Sequence, residues 1–178
     1  MNLLKAKDYA KAAKNAGIMS HYIVDIAVFG HVMGSGTDWG TEVHHSDYEN
    51  YVNGRTSSYS AEFNSYLSFD GSLTTISAYD AAKNLAYDTT FDIDEDLTCV
   101  WMDQNYNWNN PTFKNRAGES LNLAVNYLAD VLHTLAVEST TESAPAEPIP
   151  LWMIGVAIVT VTLIAIGVTA SSKRKSST

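Results

Sequence analysis

Four of the chain's five histidines lie between residues 21 and 49, at spacings that suit a metal site. His21 and Asp25 are four residues apart, and His45 and Glu49 repeat this spacing. On a helix, side chains four residues apart project from the same face, one turn apart. His31 lies between the two pairs. The stretch therefore offers five candidate metal ligands within 29 residues.

Imidazole nitrogens and carboxylate oxygens are ligands that zinc accepts, and a catalytic zinc ion usually keeps three protein ligands with a position open for water. His31, His45 and Glu49 would form one such set, and His21 with Asp25 would form half of another. Asp25 also lies in an almost wholly apolar stretch of sequence. Burial without a partner pushes a carboxylate toward its neutral form, whereas a bound metal ion keeps it ionised. The residue types therefore predict zinc ligation.

The order of these residues also resembles that of a known family. The family pattern is a histidine, three residues, an aspartate, five residues, a histidine, a variable loop, and then a histidine with a glutamate four residues later. It belongs to the bacterial zinc-dependent phospholipases C, whose fold is shared with zinc-dependent single-strand nucleases. In this chain the pattern is formed by His21, Asp25, His31, His45 and Glu49.

The resemblance implies an all-helical domain that hydrolyses phosphodiester bonds with up to three zinc ions. His31, His45 and Glu49 would complete one zinc site, whereas His21 and Asp25 would help to bind the others, with Asp25 bridging two ions. The family takes its remaining ligands and its proposed acidic general base from a region upstream of this pattern. Only twenty residues precede His21, and none is a histidine. We therefore expect a longer natural amino-terminal part, and we assign no catalytic side chain.

The position of His31 requires a break in the helix that precedes it. An unbroken helix would place His31 about 15 Å further along the axis than His21, and turned away from it. The family usually has a proline two residues before this histidine, and Phe29 occupies that position here. Gly30 is therefore predicted to provide the break. Weaker resemblance to the family extends from Ala10 to Val137.

Hydrophobic periodicity predicts helices and no strands, so the domain is expected to be all-α. The clearest amphipathic pattern is in the last part of the domain, and Ser77 is suited to be the N-cap of the helix before it. An aromatic and asparagine-rich stretch between these two helices is predicted to be a loop. The predicted helices cover residues 1 to 33, 42 to 52, 77 to 88 and 113 to 137, and the predicted loop covers residues 99 to 112.

Charge is distributed unevenly along the chain. Three of the eleven basic residues are Lys173, Arg174 and Lys175, whereas all twenty acidic residues precede residue 151. So acidic a domain is poorly suited to nonspecific nucleic-acid binding, which needs Lys and Arg to neutralise phosphates. The acidic domain could still bind a phosphate ester, because bound zinc ions would supply the positive charge that the phosphate requires. We therefore expect a phospholipid or another phosphodiester as substrate, with a nuclease or a non-catalytic surface domain of the same fold as alternatives.

The carboxyl-terminal part predicts a membrane anchor. Residues 138 to 150 form a linker rich in Ser, Thr, Pro and Glu. Residues 151 to 170 contain no charge and are long enough to cross a bilayer as one helix. The tail of residues 171 to 178 is short and basic, which places it in the cytoplasm by the positive-inside rule. We therefore expect a single-pass protein of the cell membrane, with the helical domain of residues 1 to 137 outside the cell.

Overall fold

The structure is a computed structural model that describes residues 2 to 56, 62 to 93 and 96 to 140. Within these ranges the chain forms helices and a 3₁₀ turn but no strand, which confirms the all-α prediction. An isolated antiparallel bridge between Gly34 and Gly40 closes the loop before the fourth helix. The helices are α1 (Asn2–Lys5), α2 (Tyr9–Asp25), α3 (Phe29–Val32), α4 (His45–Asn53), α5 (Ala78–Phe91), α6 (Cys99–Gln104) and α7 (Pro111–Thr140), and the 3₁₀ turn spans Glu62–Ser65.

Helix α7 is the longest of these elements and forms the centre of the domain. Its 30 residues extend about 45 Å. Both α2 and α5 pack along it, and Ile23, Leu85 and Val131 form an apolar core between them. The small side chain of Ala124 is part of the same core. The helix predicted over residues 113 to 137 is confirmed, and it extends further at both ends.

Helix α5 runs antiparallel to α7. Just before α5 begins, the backbone N–H of Ile76 donates to Thr134 Oγ1 near the end of α7, at 2.8 Å. Toward the end of α5, Asp88 forms an ion pair with Arg116 near the start of α7. Ser77 accepts a hydrogen bond from the backbone of the first turn, so the predicted N-cap is confirmed. The end of α5 and the start of α7 therefore lie at the same end of the domain.

The Arg116 ion pair is buried between α5 and α7. Arg116, Asp88 and Asp92 have exposed fractions of 3%, 8% and 5%. Arg116 donates from Nη1 to Asp88 Oδ2 at 3.1 Å and from Nη2 to the backbone carbonyl of Asp88 at 2.7 Å. Its Nε donates to the carbonyl of Leu97 at 3.4 Å and lies 3.7 Å from Asp92 Oδ2. The guanidinium group thus joins three separate parts of the chain.

Residues 68 to 76 lie along α7 and are held there by a row of polar side chains on that helix. Each of these side chains accepts a hydrogen bond from a backbone N–H of the segment, at 2.7 to 3.2 Å. The row consists of Asn122, Asn126, Asp130 and Thr134. Because the four residues recur every fourth position, they form one stripe along the helix. They provide the acceptors that a neighbouring strand would otherwise supply.

A second core, rich in aromatic side chains, lies beside the first part of α7. Trp108 stacks in parallel on Tyr51 with 4.0 Å between ring centroids, and the rings of Trp108 and Phe113 are nearly perpendicular, with 4.9 Å between centroids. Helix α6 borders this core, with Thr98 as its N-cap. The prediction of a loop over residues 99 to 112 is therefore wrong for residues 99 to 104, where packing against the core stabilises a helix, and for residues 111 and 112, where α7 begins.

The predicted transmembrane helix of residues 151 to 170 and the basic tail of residues 171 to 178 lie outside the described residues. The predicted linker of residues 138 to 150 does too, apart from residues 138 to 140, which continue α7. Among the helices of the described ranges, none combines the length and the apolar character that crossing a bilayer requires.

Candidate metal centre

The break that His31 requires lies between α2 and α3. Helix α2 ends at Asp25, where three successive hydrogen bonds of the tighter i to i−3 type, at 3.1 to 3.3 Å, replace the α-helical pattern. Val28 is then extended, with φ −83° and ψ 116°. The helical prediction for residues 1 to 33 is confirmed for α1, α2 and α3 and is wrong for residues 6 to 8 and 26 to 28, which separate them. The predicted position of the break is also wrong, since Gly30 lies inside α3.

Gly30 instead allows α3 to approach α4 closely. A Cβ atom added at this position would lie 2.8 Å from Cβ and 2.7 Å from Cγ of His45, which is too close for real atoms. The absence of a side chain thus brings the neighbouring His31 up to His45. Their ring centroids are 4.5 Å apart, with the ring planes nearly perpendicular at 86°.

The start of α4 is fixed by Asp103 of α6. Helix α4 begins at His45, three residues later than predicted. The buried Asp103 carboxylate accepts hydrogen bonds from the backbone N–H groups of Val43 and His44 at 2.9 to 3.2 Å. The His44 ring lies 3.3 Å from the same carboxylate and stacks on Tyr106, and His44 does not belong to the group of donors formed by His31, His45 and Glu49. A carboxylate suits this place because N–H groups at the start of a helix lack partners within it.

His31, His45 and Glu49 direct potential ligand atoms at one place. One such atom from each residue lies within 4.8 Å of the other two. Glu49 Oε1 is 3.2 Å from His31 Nε2 and 3.1 Å from His45 Nε2. The three side chains are 25%, 28% and 44% exposed, in that order. The group therefore lies at the surface, where solvent and small ligands reach it.

The second ring nitrogen of each histidine faces an oxygen atom. His31 Nδ1 is 2.8 Å from the backbone carbonyl oxygen of Asp25, and His45 Nδ1 is 3.5 Å from Glu42 Oε1. Because a carbonyl oxygen can only accept a hydrogen bond, we assign the hydrogen of His31 to Nδ1. This tautomer leaves the Nε2 lone pair free to bind a metal. Metal-binding histidines characteristically have such a partner for their other nitrogen.

His21 and Asp25 lie beside this group without belonging to it. Asp25 Oδ2 is 3.6 Å from His21 Nε2 and 3.6 Å from His31 Nδ1. The carboxylate therefore faces the Nδ1 side of the His31 ring, whereas Nε2 faces Glu49. In the part of the chain that the structure describes, His21 and Asp25 form a pair and join no group of three donors. Their ligation of further zinc ions, with Asp25 as a bridge, stays a prediction.

Three carboxylates, those of Asp25, Glu42 and Glu49, surround the histidines. Among the described residues, these carboxylates form ion pairs only with histidine rings, which are charged only when protonated. With neutral rings the cluster holds three negative charges close together. A bound divalent cation would offset most of this repulsion. The distribution of charge thus favours cation binding.

The donor set fits zinc. Two imidazole nitrogens and one carboxylate oxygen are a typical set for a zinc ion that keeps a fourth position open. Cys99 is fully buried, and its burial raises the pKa of the thiol, so it does not resemble a thiolate ligand. Behind the donors, the ring of Tyr48 on α4 is buried against Phe29 of α3, with 5.1 Å between ring centroids. The two helices that carry the donors are therefore packed directly on each other.

Two residues that shape this centre are absent from the sequence prediction. Glu42 contacts His45 from the segment before α4, and Asp103 reaches the same segment from a position sixty residues further along the chain. The i to i+3 spacing of Glu42 and His45 could have indicated the first contact. Nothing local to α4 indicates the second.

Replacing Gly30 by alanine is expected to weaken zinc binding by about tenfold or more, because the new methyl group displaces the His45 ring. Overpacking of this kind also costs about 1 to 3 kcal/mol of stability. Competition with a chromophoric chelator measures the zinc affinity, and circular dichroism verifies the fold. Gly36→Ala is the matched control, since no atom lies within 4 Å of the added Cβ there. Equal zinc affinities for the two variants would contradict the prediction.

Comparisons with known proteins assign no family and no known fold to the chain, since no protein-family model, curated protein or solved structure matches it.

Proposed function

We propose that this domain is a zinc-dependent phosphodiester hydrolase whose metal ion is bound by His31, His45 and Glu49. The observation that carries the proposal is the convergence of three zinc-type donors at the surface, within 4.8 Å of one another. Such a set leaves room for water and substrate beside the metal. The resemblance in residue order to zinc-dependent phospholipases C supplies the reaction class.

The protein's own residues have simple tasks in this reaction. His31 Nε2, His45 Nε2 and Glu49 would hold the ion, and they belong to α3 and α4. The Asp25 carbonyl oxygen, 2.8 Å from Nδ1, orients the His31 ring, and the Glu42 carboxylate lies 3.5 Å from Nδ1 of His45. Once bound, a zinc ion supplies a water of lowered pKa and positive charge for the phosphoryl oxygens. Substrate binds from the solvent side, where the Glu49 side chain is 44% exposed.

A phospholipid is the substrate class that we favour. The predicted membrane segment of residues 151 to 170 would keep the domain near lipid, and the acidic composition disfavours extended nucleic-acid contacts. A nuclease of the same fold is the nearest alternative. A non-catalytic surface domain that keeps one structural zinc ion is the alternative of a different class. A structural zinc site normally has four protein ligands, whereas the three donors here are partly open to solvent.

The proposal is tested with the full-length chain in mixed micelles of detergent and phosphatidylcholine, supplied with zinc. We expect release of the phosphorylated head group, and we expect its loss after chelation and its return when zinc is restored. Single-stranded DNA and bis(p-nitrophenyl) phosphate are assayed in parallel. Hydrolysis of DNA but not lipid would support the nuclease instead.

Variants separate the proposed site from nonspecific zinc effects. His31→Ala and Glu49→Gln each remove one donor and should reduce hydrolysis to the level of the zinc-only control. His133→Ala and Asp47→Asn remove a histidine of α7 and an exposed acid of α4. These two controls should retain wild-type activity. Zinc binding by the wild type without hydrolysis of any of the three substrates would favour the non-catalytic domain.

A further inference from the structure

We propose that Glu42 is a positioning residue for zinc: it accepts the Nδ1 hydrogen of His45 and thereby presents Nε2 of that ring to the metal. The inference rests on the proposed zinc site and extends it to a side chain outside the set of donors. Glu42 Oε1 lies 3.5 Å from His45 Nδ1, on the opposite side of the ring from Glu49. The same ring therefore contacts one carboxylate at each nitrogen.

The Nδ1 atoms of the two histidines face different kinds of partner. A neutral imidazole carries its hydrogen on one of its two ring nitrogens. The nitrogen without the hydrogen binds the metal, so the hydrogen of a metal ligand must lie on the nitrogen that faces away from the metal. His31 donates to the backbone carbonyl of Asp25 at 2.8 Å, a partner that no substitution at residue 25 removes. The atom nearest to Nδ1 of His45 among the recorded contacts belongs instead to a side chain, that of Glu42, at 3.5 Å, a distance that a small movement of the carboxylate shortens to a hydrogen bond. Its orientation is therefore the one that a single substitution can test.

The segment that carries Glu42 is fixed on the protein. The two residues that follow it, Val43 and His44, both donate their backbone N–H groups to the buried carboxylate of Asp103. The Glu42 side chain itself is 25% exposed, less than that of Glu49 at 44%. Because the backbone beside Glu42 is already held, only the side-chain torsions of Glu42 lose conformational entropy when it orients its partner. Glu42 is thus placed before any metal arrives.

A carboxylate in this position does two things for a metal-bound imidazole. It selects the tautomer, and it makes the opposite nitrogen more basic. Loss of such a partner typically lowers metal affinity by about 10- to 100-fold. We therefore expect Glu42→Ala and Glu42→Met, which both lack an acceptor, to bind zinc about 10- to 100-fold more weakly than the wild type. Glu42→Gln keeps an oxygen that can accept the hydrogen, and its affinity should lie closer to that of the wild type.

The experiment measures the zinc dissociation constant of the full-length chain in detergent by competition with a chromophoric chelator. The absorption spectrum of the cobalt-substituted protein is recorded for each variant, because a changed imidazole orientation alters the band positions whereas a purely structural role leaves them unchanged. Circular dichroism verifies that each variant is folded. Asp47→Ala, an exposed acid two residues after His45, is the matched control and should match the wild type.

The possible failures are distinguishable. Wild-type affinity in Glu42→Ala and Glu42→Met, while His45→Ala no longer binds zinc, would overturn the role of Glu42 and leave the zinc site intact. Equal weakening in Glu42→Gln and Glu42→Met would also overturn positioning through the hydrogen bond, since charge alone would then explain the effect. Failure of the wild type to bind zinc would overturn both this inference and the proposed function.

Discussion

Replacing Arg116 by methionine is expected to lower the free energy of unfolding by about 3 to 5 kcal/mol. Arg116 is 3% exposed, and it pairs with Asp88 and Asp92, which are 8% and 5% exposed. Methionine fills a similar volume but leaves both carboxylates buried without their cation. The carbonyl groups of Asp88 and Leu97 lose their donors as well. Urea unfolding of the full-length chain in mild detergent, followed by circular dichroism, measures the difference.

Two controls show whether the buried charges cause this loss. The triple variant Arg116→Met, Asp88→Asn, Asp92→Asn removes the charges together and should recover a large part of the stability, because no uncompensated charge stays buried. Lys83→Met breaks the ion pair between Lys83 and Asp80, whose side chains are 60% and 50% exposed, and should have little effect on stability because solvent screens the pair. A similar cost for Arg116→Met and Lys83→Met would contradict the prediction.

Zinc is expected to raise the free energy of unfolding of the wild-type chain by about 2.7 kcal/mol when its free concentration is a hundredfold above the dissociation constant. For a domain of this size, that gain corresponds to an increase in melting temperature of roughly 10 °C. The physical reason is that the three donors meet only in the folded chain, where α3 and α4 pack together. A thermal melt with and without zinc measures the increase.

The zinc effect should vanish when a donor is lost. His45→Ala removes one ligand, and its melting temperature should be nearly independent of zinc. His133→Ala removes a histidine that lies on α7, outside the three-donor group, and should respond like the wild type. Equal zinc responses of the two variants would show that the stabilising ion binds elsewhere. The melting temperature of His45→Ala without zinc, compared with that of the wild type without zinc, measures how much the substitution itself destabilises the fold.

The fold class and the later helices follow from local sequence patterns. The apolar period of residues 113 to 137 is long, and the serine at position 77 caps α5 because its oxygen is next to unpaired N–H groups. Helix α6 was not predictable in this way. Trp101 of α6 and the asparagines that follow the helix have modest helix propensity. The burial of Cys99 and Met102 therefore decides that residues 99 to 104 are helical.

Some features of the candidate site also follow from local sequence patterns, whereas others depend on contacts between distant residues. The spacing of His45 and Glu49 places both on one face of α4, as a helix requires. The position of His31 depends on the end of α2, and no proline or glycine between residues 25 and 29 marks that end. Contacts between distant parts of the chain decide it instead. For the same reason, Asp103 becomes recognisable as a neighbour of the site only in the folded structure, whereas the i to i+3 spacing of Glu42 and His45 could have indicated their contact.

The length of α7 determines how far the site lies from the point where the chain leaves the described domain. Ala117, near one end of α7, shares a core with Phe29 and Tyr48, which adjoin the donors. Thr140, at the other end, lies 23 residues later, about 35 Å along the axis. The donors therefore lie near the start of α7, whereas any segment that follows Thr140, a membrane anchor included, joins the domain at the other end of that helix.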